Sequence, residues 1–460
     1  MKLFLFFFLI TCLKIYSQQV DTTFTDSVKI IPDTSFTRTD SLASDTTGLF
    51  TQQPDTLYPL YQNPFSEKSF FINKQTIDKL DYRFTGDFFV PTGFGYLKDK
   101  GMIGQPSELI LYGNGFGSIG YFSDGILNSI YDLNLIQSET IDSVEILPLP
   151  RGFLYGPDNY LVSVNFIEKD FISPAPYTRI KYYEGPEGEA FIDGIFNGSF
   201  LNKFNLSLDI TNRNFDSIYT NTDFSIWQSN VKLKYFLSNS INLTGSYSFV
   251  KSDLGFFGGV DIDSVSNMTT DINSVIFDPS LAPIVNPGLK QEVSLDKFKI
   301  RALGKFGNFK SDLNFYYHAS EEKYSGIPSN DEIKNYILGI SLRQSYSAPI
   351  FNLEINTVFE DRELNYYFVD TSSGFQRLKT DFNIISVSPL LSFYLLDSVL
   401  IPSFFSKVSD NSNISDPLHG YGGDITFKII NLLWLNGGLS RFDFANEISI
   451  NVFEAGINLN

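Results

Sequence analysis

The chain has 460 residues, a net charge of −18 and one cysteine, Cys12. An acidic chain of this kind is a poor direct partner for nucleic acid or for anionic lipid headgroups. Because His318 and His419 are its only histidines, it offers little material for a histidine metal site or a histidine-dependent triad. Its many Phe and Tyr residues suit a lipid-facing β-barrel with aromatic girdles, and a large soluble β-sandwich or β-helix is the alternative.

Residues 1–17 have the pattern of a secretory signal peptide. Lys2 precedes an apolar stretch from Leu3 to Leu13, which is too short to span a bilayer. A lipoprotein signal ending at Cys12 is the alternative, although Thr11 fits poorly before a lipidated cysteine. The sequence therefore predicts that the chain is exported.

Residues 18–57 are dominated by Thr, Asp and Ser, a composition that cannot bury enough apolar surface to fold by itself. We expect a flexible tail. One apolar island interrupts it, formed by Val28, Lys29, Ile30 and Ile31. The island is either a chance apolar patch or a segment that pairs with a partner by strand addition.

From residue 58 the composition becomes globular, and four segments follow in order. Residues 72–80 have helix-like apolar spacing after an extended start, and residues 101–113 end in a strand and a Tyr-Gly turn. Residues 120–125 end in Asp124-Gly125, a typical hairpin-turn pair. The last segment reads IDSVEILPLPRGFLYG over 141–156 and VSVNFIEKD over 162–170.

This series resembles the plug domain of TonB-dependent outer-membrane receptors, which closes with a strand of the type I-E-x-I-E-V, an Arg-Gly turn, L-Y-G and a strand of the type V-I-N-I-x-T-K. The resemblance implies a small α+β plug over residues 58–172. It also implies that Arg151 is held against acidic groups of the barrel wall, with a simple turn residue as the alternative. The plug-motif residues that it assigns are Asp124, Gly125, Glu145, Arg151, Gly152, Tyr155, Gly156 and Asn165.

One stretch departs from the family pattern. Where the family has small residues and paired glycines after L-Y-G, this chain has Pro157 to Val162, including Tyr160 and Leu161. Glycine permits close packing and unusual backbone angles. We therefore expect neighbouring backbone segments to pack less closely at this point. This expectation leaves open whether the plug moves as the plug of a transporter would.

Residues 173–460 fall into segments that alternate strictly between apolar and polar residues, as at 204–210 and 231–237. Such strands need one apolar and one wet environment. Short turns such as 238–240 alternate with longer connections such as 255–289, which is the pattern of an outer-membrane β-barrel. The sequence predicts a transmembrane antiparallel barrel of about 14 strands.

Receptors of the family enclose their plug with about 22 strands, and about 14 strands enclose a much narrower lumen. A plug of about 110 residues would not fit comfortably inside it. The sequence leaves two interpretations open: a shortened or atypical member of the family, or a chain that stops at Asn460 before the whole barrel is encoded.

Chemistry-bearing motifs are scarce. The chain has no Walker loop, G-x-S-x-G elbow, H-E-x-x-H pair or cysteine cluster, so we predict no enzyme, cofactor or metal site. His318 with Ser320 suggests an outer-membrane hydrolase as a weak alternative, and Asp261, Asp263 and Asp271 suggest a calcium loop that is better explained as an ordinary acidic loop. The paired acids Glu321-Glu322 and Glu360-Asp361 are interpreted as solvated loop charges.

By resemblance, the chain is predicted to be a receptor and transporter in the outer membrane of a Gram-negative cell. Its implied partners are outer-membrane lipid, an unidentified small ligand and a TonB-type energy-coupling protein that binds the apolar island at Val28–Ile31. Nucleic acid is not an expected partner. The alternative is a passive porin-like channel, or a structural surface barrel that retains a plug-like module.

Overall fold

The computed structural model describes residues 70–98, 102–129, 132–148, 151–173, 175–186, 188–201, 203–216, 218–279, 281–326, 331–370, 374–414, 417–430, 433–443 and 449–459. The predicted signal peptide, the predicted tail with its candidate coupling segment at Val28–Ile31, and Asn460 lie outside these residues. All described residues belong to one compact unit.

The first part of the described chain is a small domain, here called the plug. Its central sheet has the strand order β1-β6-β7-β4-β5, with β4 and β7 parallel and the other neighbours antiparallel, and a separate hairpin joins β2 to β3. The described strands of the plug are β1 (Phe70–Ile72), β2 (Gly95–Lys98), β3 (Glu108–Leu111), β4 (Ile119–Ser123), β5 (Ile126–Leu127), β6 (Ile141–Pro148) and β7 (Val162–Glu168).

Short helical elements complete the plug. Helix α1 (Lys74–Ile77) begins at Asn73, whose side-chain oxygen accepts a hydrogen bond of 2.9 Å from the Thr76 amide. Asn is a favoured residue at this position because it satisfies an amide that the helix leaves open. Single turns of 3₁₀ helix lie at Thr85–Phe89, Leu133–Leu135, Ser138–Thr140 and Gly152–Leu154.

Both faces of strand β7 are buried, and they meet different surroundings. Val162, Val164 and Phe166 point into an apolar core with residues of β1, β3 and β6 and the turn at Thr85–Phe89. Ser163 and Asn165, which alternate with them, are fully buried on the opposite face. A strand with period-2 side chains can pack its apolar face against the plug core while its polar face turns toward other groups.

The second part of the described chain is one antiparallel sheet of 14 strands, here called the wall, which confirms the predicted fold class and strand number. The strands are β8 (Tyr177–Glu184), β9 (Ala190–Phe200), β10 (Phe204–Phe215), β11 (Phe224–Ser238), β12 (Ile241–Gly255), β13 (Lys290–Phe306), β14 (Phe309–Ser325), β15 (Asp331–Ser347), β16 (Phe351–Asp370), β17 (Gly374–Phe393), β18 (Leu400–Asn411), β19 (Leu418–Ile430), β20 (Leu433–Asp443) and β21 (Ser449–Leu459).

The wall strands are paired in chain order from β8 to β21. Among the described residues no ladder of hydrogen bonds joins β8 back to β21. A sheet whose edge strands are not joined can enclose more space than a closed barrel of the same strand number. The described wall contacts the plug on strands such as β8, β13 and β19, so the expectation that about 14 strands leave too little room for it does not hold here.

The two faces of the wall separate by residue type. On β11, Trp227 and Leu233 point outward and are 51% and 41% exposed, whereas Gln228 and Lys234 point inward and are buried. The inner, polar face of the wall is therefore covered, and on most strands the plug covers it. The predicted apolar face is the outer one.

Connections between wall strands differ at the two ends. Two-residue turns at 239–240 and 307–308 define the short-turn end, and the connection 256–289 defines the long-loop end. This long connection contains helices α2 (Ile262–Met268) and α3 (Ile272–Ile276). Within the described ranges, every helix is too short or too polar to cross a membrane.

The outward and inward faces can be tested with single cysteines, because Cys12 is the only native one. Ile340 is exposed on the outer face and its neighbour Ser341 is buried on the inner face. We expect a fluorophore on Ile340→Cys to be quenched by brominated lipid after refolding into vesicles, and one on Ser341→Cys to be protected. Equal quenching at the two positions would contradict the assigned faces.

Candidate functional site

The candidate site is the plug–wall interface, where charged side chains of the plug meet inward-facing side chains of the wall. The wall strands direct every second side chain inward, and the plug directs its turns and strand ends toward the wall. The predicted plug-motif residues all lie at or next to this interface. Glu145 and Asn165 are direct neighbours across the β6–β7 ladder.

Asp124 and Gly125 form the turn between β4 and β5, with φ of 50° and 78°. Asp and Gly tolerate this left-handed backbone, which two-residue hairpin turns require. Asn165 fastens the turn, because its side-chain oxygen accepts a hydrogen bond of 2.8 Å from the Gly125 amide. The Oδ2 atom of the Asp124 carboxylate lies 3.1 Å from Lys299 Nζ and 3.5 Å from Arg301 Nη1, both on strand β13. The turn thus ties the plug to a basic part of the wall.

Arg151 begins the turn after β6 and reaches strand β19 of the wall. Its Nη2 donates to Asp424 Oδ2 on strand β19 at 2.5 Å, and both side chains are almost fully buried. The guanidinium also lies 5.4 Å from the ring centroid of Phe405. Removing one partner of a buried pair leaves an uncompensated charge, which costs about 3–5 kcal/mol.

The chain after Arg151 packs tightly between the plug and the wall. A Cβ at Gly152 would lie 2.7 Å from the Leu147 carbonyl oxygen, so only glycine fits this approach without a shift. Next to it, Lys407 Nζ of strand β18 donates to the carbonyl oxygens of Phe153 and Asp158 at 2.7 and 2.6 Å. The Arg-Gly turn is therefore held by two neighbouring wall strands.

Tyr155 joins β6 to a further part of the wall. Its hydroxyl donates to Glu145 Oε2 at 2.6 Å, and the Arg343 guanidinium of strand β15 lies 5.5 Å from its ring. Burial first, and then the charge of Glu145, raise the pKa of Tyr155 well above its usual value. The phenol consequently remains a hydrogen-bond donor. Gly156 follows with φ of 62°.

Glu139 is a central residue of the interface that the sequence motifs do not mark. Its carboxylate accepts hydrogen bonds from Tyr82 at 3.0 Å, Arg179 at 3.0 Å and Lys181 at 2.9 Å. The two basic residues lie on strand β8, at alternate inward positions. Burial alone would raise the pKa of Glu139, but the hydrogen bond and charge of Lys181 and the charge of Arg179 outweigh it, so the pKa lies below its usual value.

The interpretation of Glu360 as a solvated loop charge is wrong. Glu360 lies within strand β16, is 1% exposed, and accepts hydrogen bonds of 2.6 Å from Tyr316 and from Arg362. Arg362 in turn donates to Asp158 of the plug at 2.9 Å. The two acids at 321–322 also lie within a strand, β14, and not in a loop. Alternation of side chains along these strands is the signal in the sequence that predicts their inward acids.

The departure at Pro157 to Val162 has a local compensation. Tyr160 is buried against Phe122, and a Cβ added to Gly120 would lie 2.4 Å from the Tyr160 ring. The absence of a side chain at Gly120 therefore creates the space that Tyr160 fills. Close packing is retained at this point of the plug, although other residues provide it.

His318, Ser320 and Asp261, the residues with side chains suited to hydrolysis or calcium binding, occupy structural positions in the wall and its long connection. His318 and Ser320 are both buried on the inner face of β14. Asp261 caps helix α2, because its carboxylate accepts hydrogen bonds from the Ser264 amide at 3.1 Å and from the Ser264 hydroxyl at 2.6 Å.

The Glu139 cluster predicts a pH dependence of stability. A carboxylate whose pKa is lower in the folded protein stabilises the fold above its unfolded value of about 4.3, and this contribution is lost as the pH falls through the folded pKa. We expect Glu139→Gln to lower the midpoint of thermal unfolding at pH 7, and the difference from the wild type to shrink below about pH 4. Circular dichroism at both pH values measures this, and a constant difference would contradict it.

No sequence-family model matches the chain, and no curated protein matches it. Solved structures do. The siderophore receptor PirA from Acinetobacter baumannii is 14% identical with a TM-score of 0.64, and the alignment covers 83% of this chain and 61% of that one. The copper transporter OprC is 12% identical with a TM-score of 0.64, over 82% and 65% of the two chains.

The ferric yersiniabactin uptake receptor FyuA from Yersinia pestis is 12% identical with a TM-score of 0.66, over 85% of this chain and 67% of that one. This chain thus spans about two thirds or less of the length of these proteins, and the likeness is one of fold. The resemblance in the sequence motifs is confirmed at that level: the chain has the plug-and-barrel fold of the TonB-dependent outer-membrane receptors.

Proposed function

We propose that the chain is an outer-membrane receptor and transporter of the TonB-dependent type, exported by the signal peptide at residues 1–17. The observation that carries this proposal is the buried Arg151–Asp424 pair, which fastens the plug to strand β19, whereas the Asp124 and Glu139 clusters fasten it to strands β13 and β8. A plug held by charges at several places around the wall blocks passage until those contacts are broken.

Charge pairs suit a plug that must be released again. Charged side chains separated under load can be solvated by water that enters, whereas apolar surfaces separated in the same way are left exposed. In a buried site the pair is strong and directional while it is intact. The plug would therefore stay closed at rest and would rearrange only under an applied force.

The tail offers a route for such a force. Among the described residues, strand β1 is the edge of the plug sheet, and three residue pairs join it to β6, at residues 144–146. A pull on the tail would reach this short ladder first, five residues before Arg151. A TonB-type energy-coupling protein that pairs with Val28–Ile31 would supply the pull.

The ligand class to test first is a metal complex, because the similar solved structures include receptors for siderophores and a copper transporter. We propose that such a ligand enters from the long-loop end. No covalent chemistry is part of this function.

A second candidate is a passive channel or a structural surface barrel that retains the plug. The observation that favours it is Tyr160, which replaces the small residues of the family and is wedged against Gly120 and Phe122. A plug fixed in this way would move less readily.

The Arg151 lock can be tested by single-channel conductance in planar bilayers. We expect the wild-type chain to be silent and Arg151→Gln to show intermittent openings at least about tenfold more frequent, because a loss of about 3–5 kcal/mol destabilises the closed plug. Lys379→Gln is the matched control, since Lys379 also pairs with acids but is exposed. Equal steady conductance in the wild type and both variants would favour the passive channel.

Coupling through the tail predicts a separate result. We expect the isolated periplasmic domain of a TonB-type protein to bind the full chain, and Ile30→Pro to weaken binding at least about tenfold because proline cannot donate to a strand ladder. Thr46→Pro, in the same tail but outside the apolar island, should bind normally. Equal affinity for all three chains, measured by calorimetry, would remove Val28–Ile31 as the coupling segment.

A further inference from the structure

The long connection 256–289 leaves the wall through a short paired ribbon. Residues 256–260 and 284–289, here called the stem, run side by side. The Phe256 amide donates to the Leu289 carbonyl oxygen at 2.9 Å, and the Asn286 amide donates to the Phe257 carbonyl oxygen at 2.8 Å. Hydrogen bonds of a short, partly exposed ribbon open readily unless other groups hold it. The position of helices α2 and α3 therefore depends on what holds the stem.

The wall holds the second half of the stem. Asn221, in the turn before β11, donates through Nδ2 to the carbonyl oxygens of Asn286 and Leu289 at 2.9 and 2.8 Å. Its φ of 61° is a left-handed conformation that asparagine tolerates better than most residues. One buried amide thus fastens the returning chain just before it enters strand β13.

The plug holds the first half of the stem. Gln105, in the connection between β2 and β3, donates through Nε2 to the Gly255 carbonyl oxygen at 2.8 Å. Gly255 is the last residue of β12, directly before the stem, and Gln105 is 5% exposed. Phe256 packs on an apolar cluster that also includes Ile103 and Leu135 of the plug. The start of the stem is thus held by a buried hydrogen bond and an apolar contact, both from the plug.

Gln105 is itself fixed to the body of the plug. Asn134 donates through Nδ2 to the carbonyl oxygens of Gly104 and Gln105 at 3.2 and 3.1 Å. Gly104 has a φ of 83°, and a Cβ there would collide with the ring of Phe224 at the start of β11. Glycine therefore lets this part of the plug lie against the wall. A movement of the plug would carry Gln105 with it.

We propose that Gln105 is a positioning residue that couples the plug to the long connection. While the plug is seated, its amide holds the stem closed. When the plug rearranges under load, the Gly255 carbonyl loses its donor and the stem opens more often. Coupling acts in both directions, so a ligand that fixes the connection also stabilises the seated plug. The inference rests on the plug movement proposed above, and it makes the entrance at the long-loop end dependent on the state of the plug.

Hydrogen–deuterium exchange of the full chain in detergent micelles tests the coupling. Peptides that contain the Phe256, Val285 and Asn286 amides report on the stem, because a protected amide exchanges when its hydrogen bond opens. We expect Gln105→Leu, which has a similar volume and no donor, to raise their exchange about fivefold or more. The reason is that a buried carbonyl without a donor destabilises the closed stem.

Gln137→Leu is the matched control. Gln137 is also a buried plug amide, but it donates to Asp209 and Thr211 of strand β10. Its loss should leave stem exchange as in the wild type. Asn221→Gly keeps the left-handed backbone and removes the wall contact, so it should accelerate the same amides and show that the measurement detects release. Exchange of strands β6 and β7 at the wild-type rate shows that a variant is folded.

Arg151→Gln separates coupling from a purely local role of Gln105. Arg151 contacts β19, so its loss loosens the plug at a distance from the stem. We expect it to raise stem exchange, and Gln105→Leu to add little in the double variant, because both act through the seated plug.

Equal stem exchange in folded Gln105→Leu, folded Gln137→Leu and the wild type would overturn the proposal. So would an Arg151→Gln chain that conducts in bilayers while its stem exchanges like the wild type. Failure of the proposed function gives a different result: a chain whose stem responds to Gln105→Leu and Arg151→Gln, but which takes up no ligand, retains the coupling and fails as a transporter.

Discussion

The structure depends on the pairing of buried charges between the plug and the inner face of the wall. The wall strands bring an acid at Asp424 and basic groups at Lys299 and Arg301 to buried positions against the plug. Each of these charges would be costly if it were buried alone. The plug and the wall therefore stabilise each other, and neither surface would be suited to an empty interior.

The contacts of the plug extend along the wall. They reach from Lys181 on β8 to Phe442 on β20, and among the described residues no ladder of hydrogen bonds joins β8 to β21. Outward residues such as Trp227 face away from the plug and remain apolar. The two faces of the wall are thus suited to different surroundings.

Much of the fold could be predicted because its signals are local. The turn at Asp124-Gly125 follows from two residues that tolerate positive φ, and the wall strands follow from alternation within each segment. Arg151 could be predicted as an interface residue from its motif, but its partner Asp424 could not, because 273 residues separate them in the chain. Glu139 lies in no motif, and the adjacent acids at 360–361 do not by themselves show that Glu360 turns inward from the middle of β16.

The sequence by itself determined the succession of the plug segments along the chain, the period-2 wall and the division of each wall strand into an apolar and a polar face. These features depend on side-chain direction along a short stretch of backbone. Only the tertiary structure decided which wall residues meet Arg151, Asp124 and Glu139, how Gly120 makes room for Tyr160, and that no ladder joins β8 to β21 within the described residues. Those features depend on strand register and sheet curvature, which bring distant residues together and which no local pattern encodes.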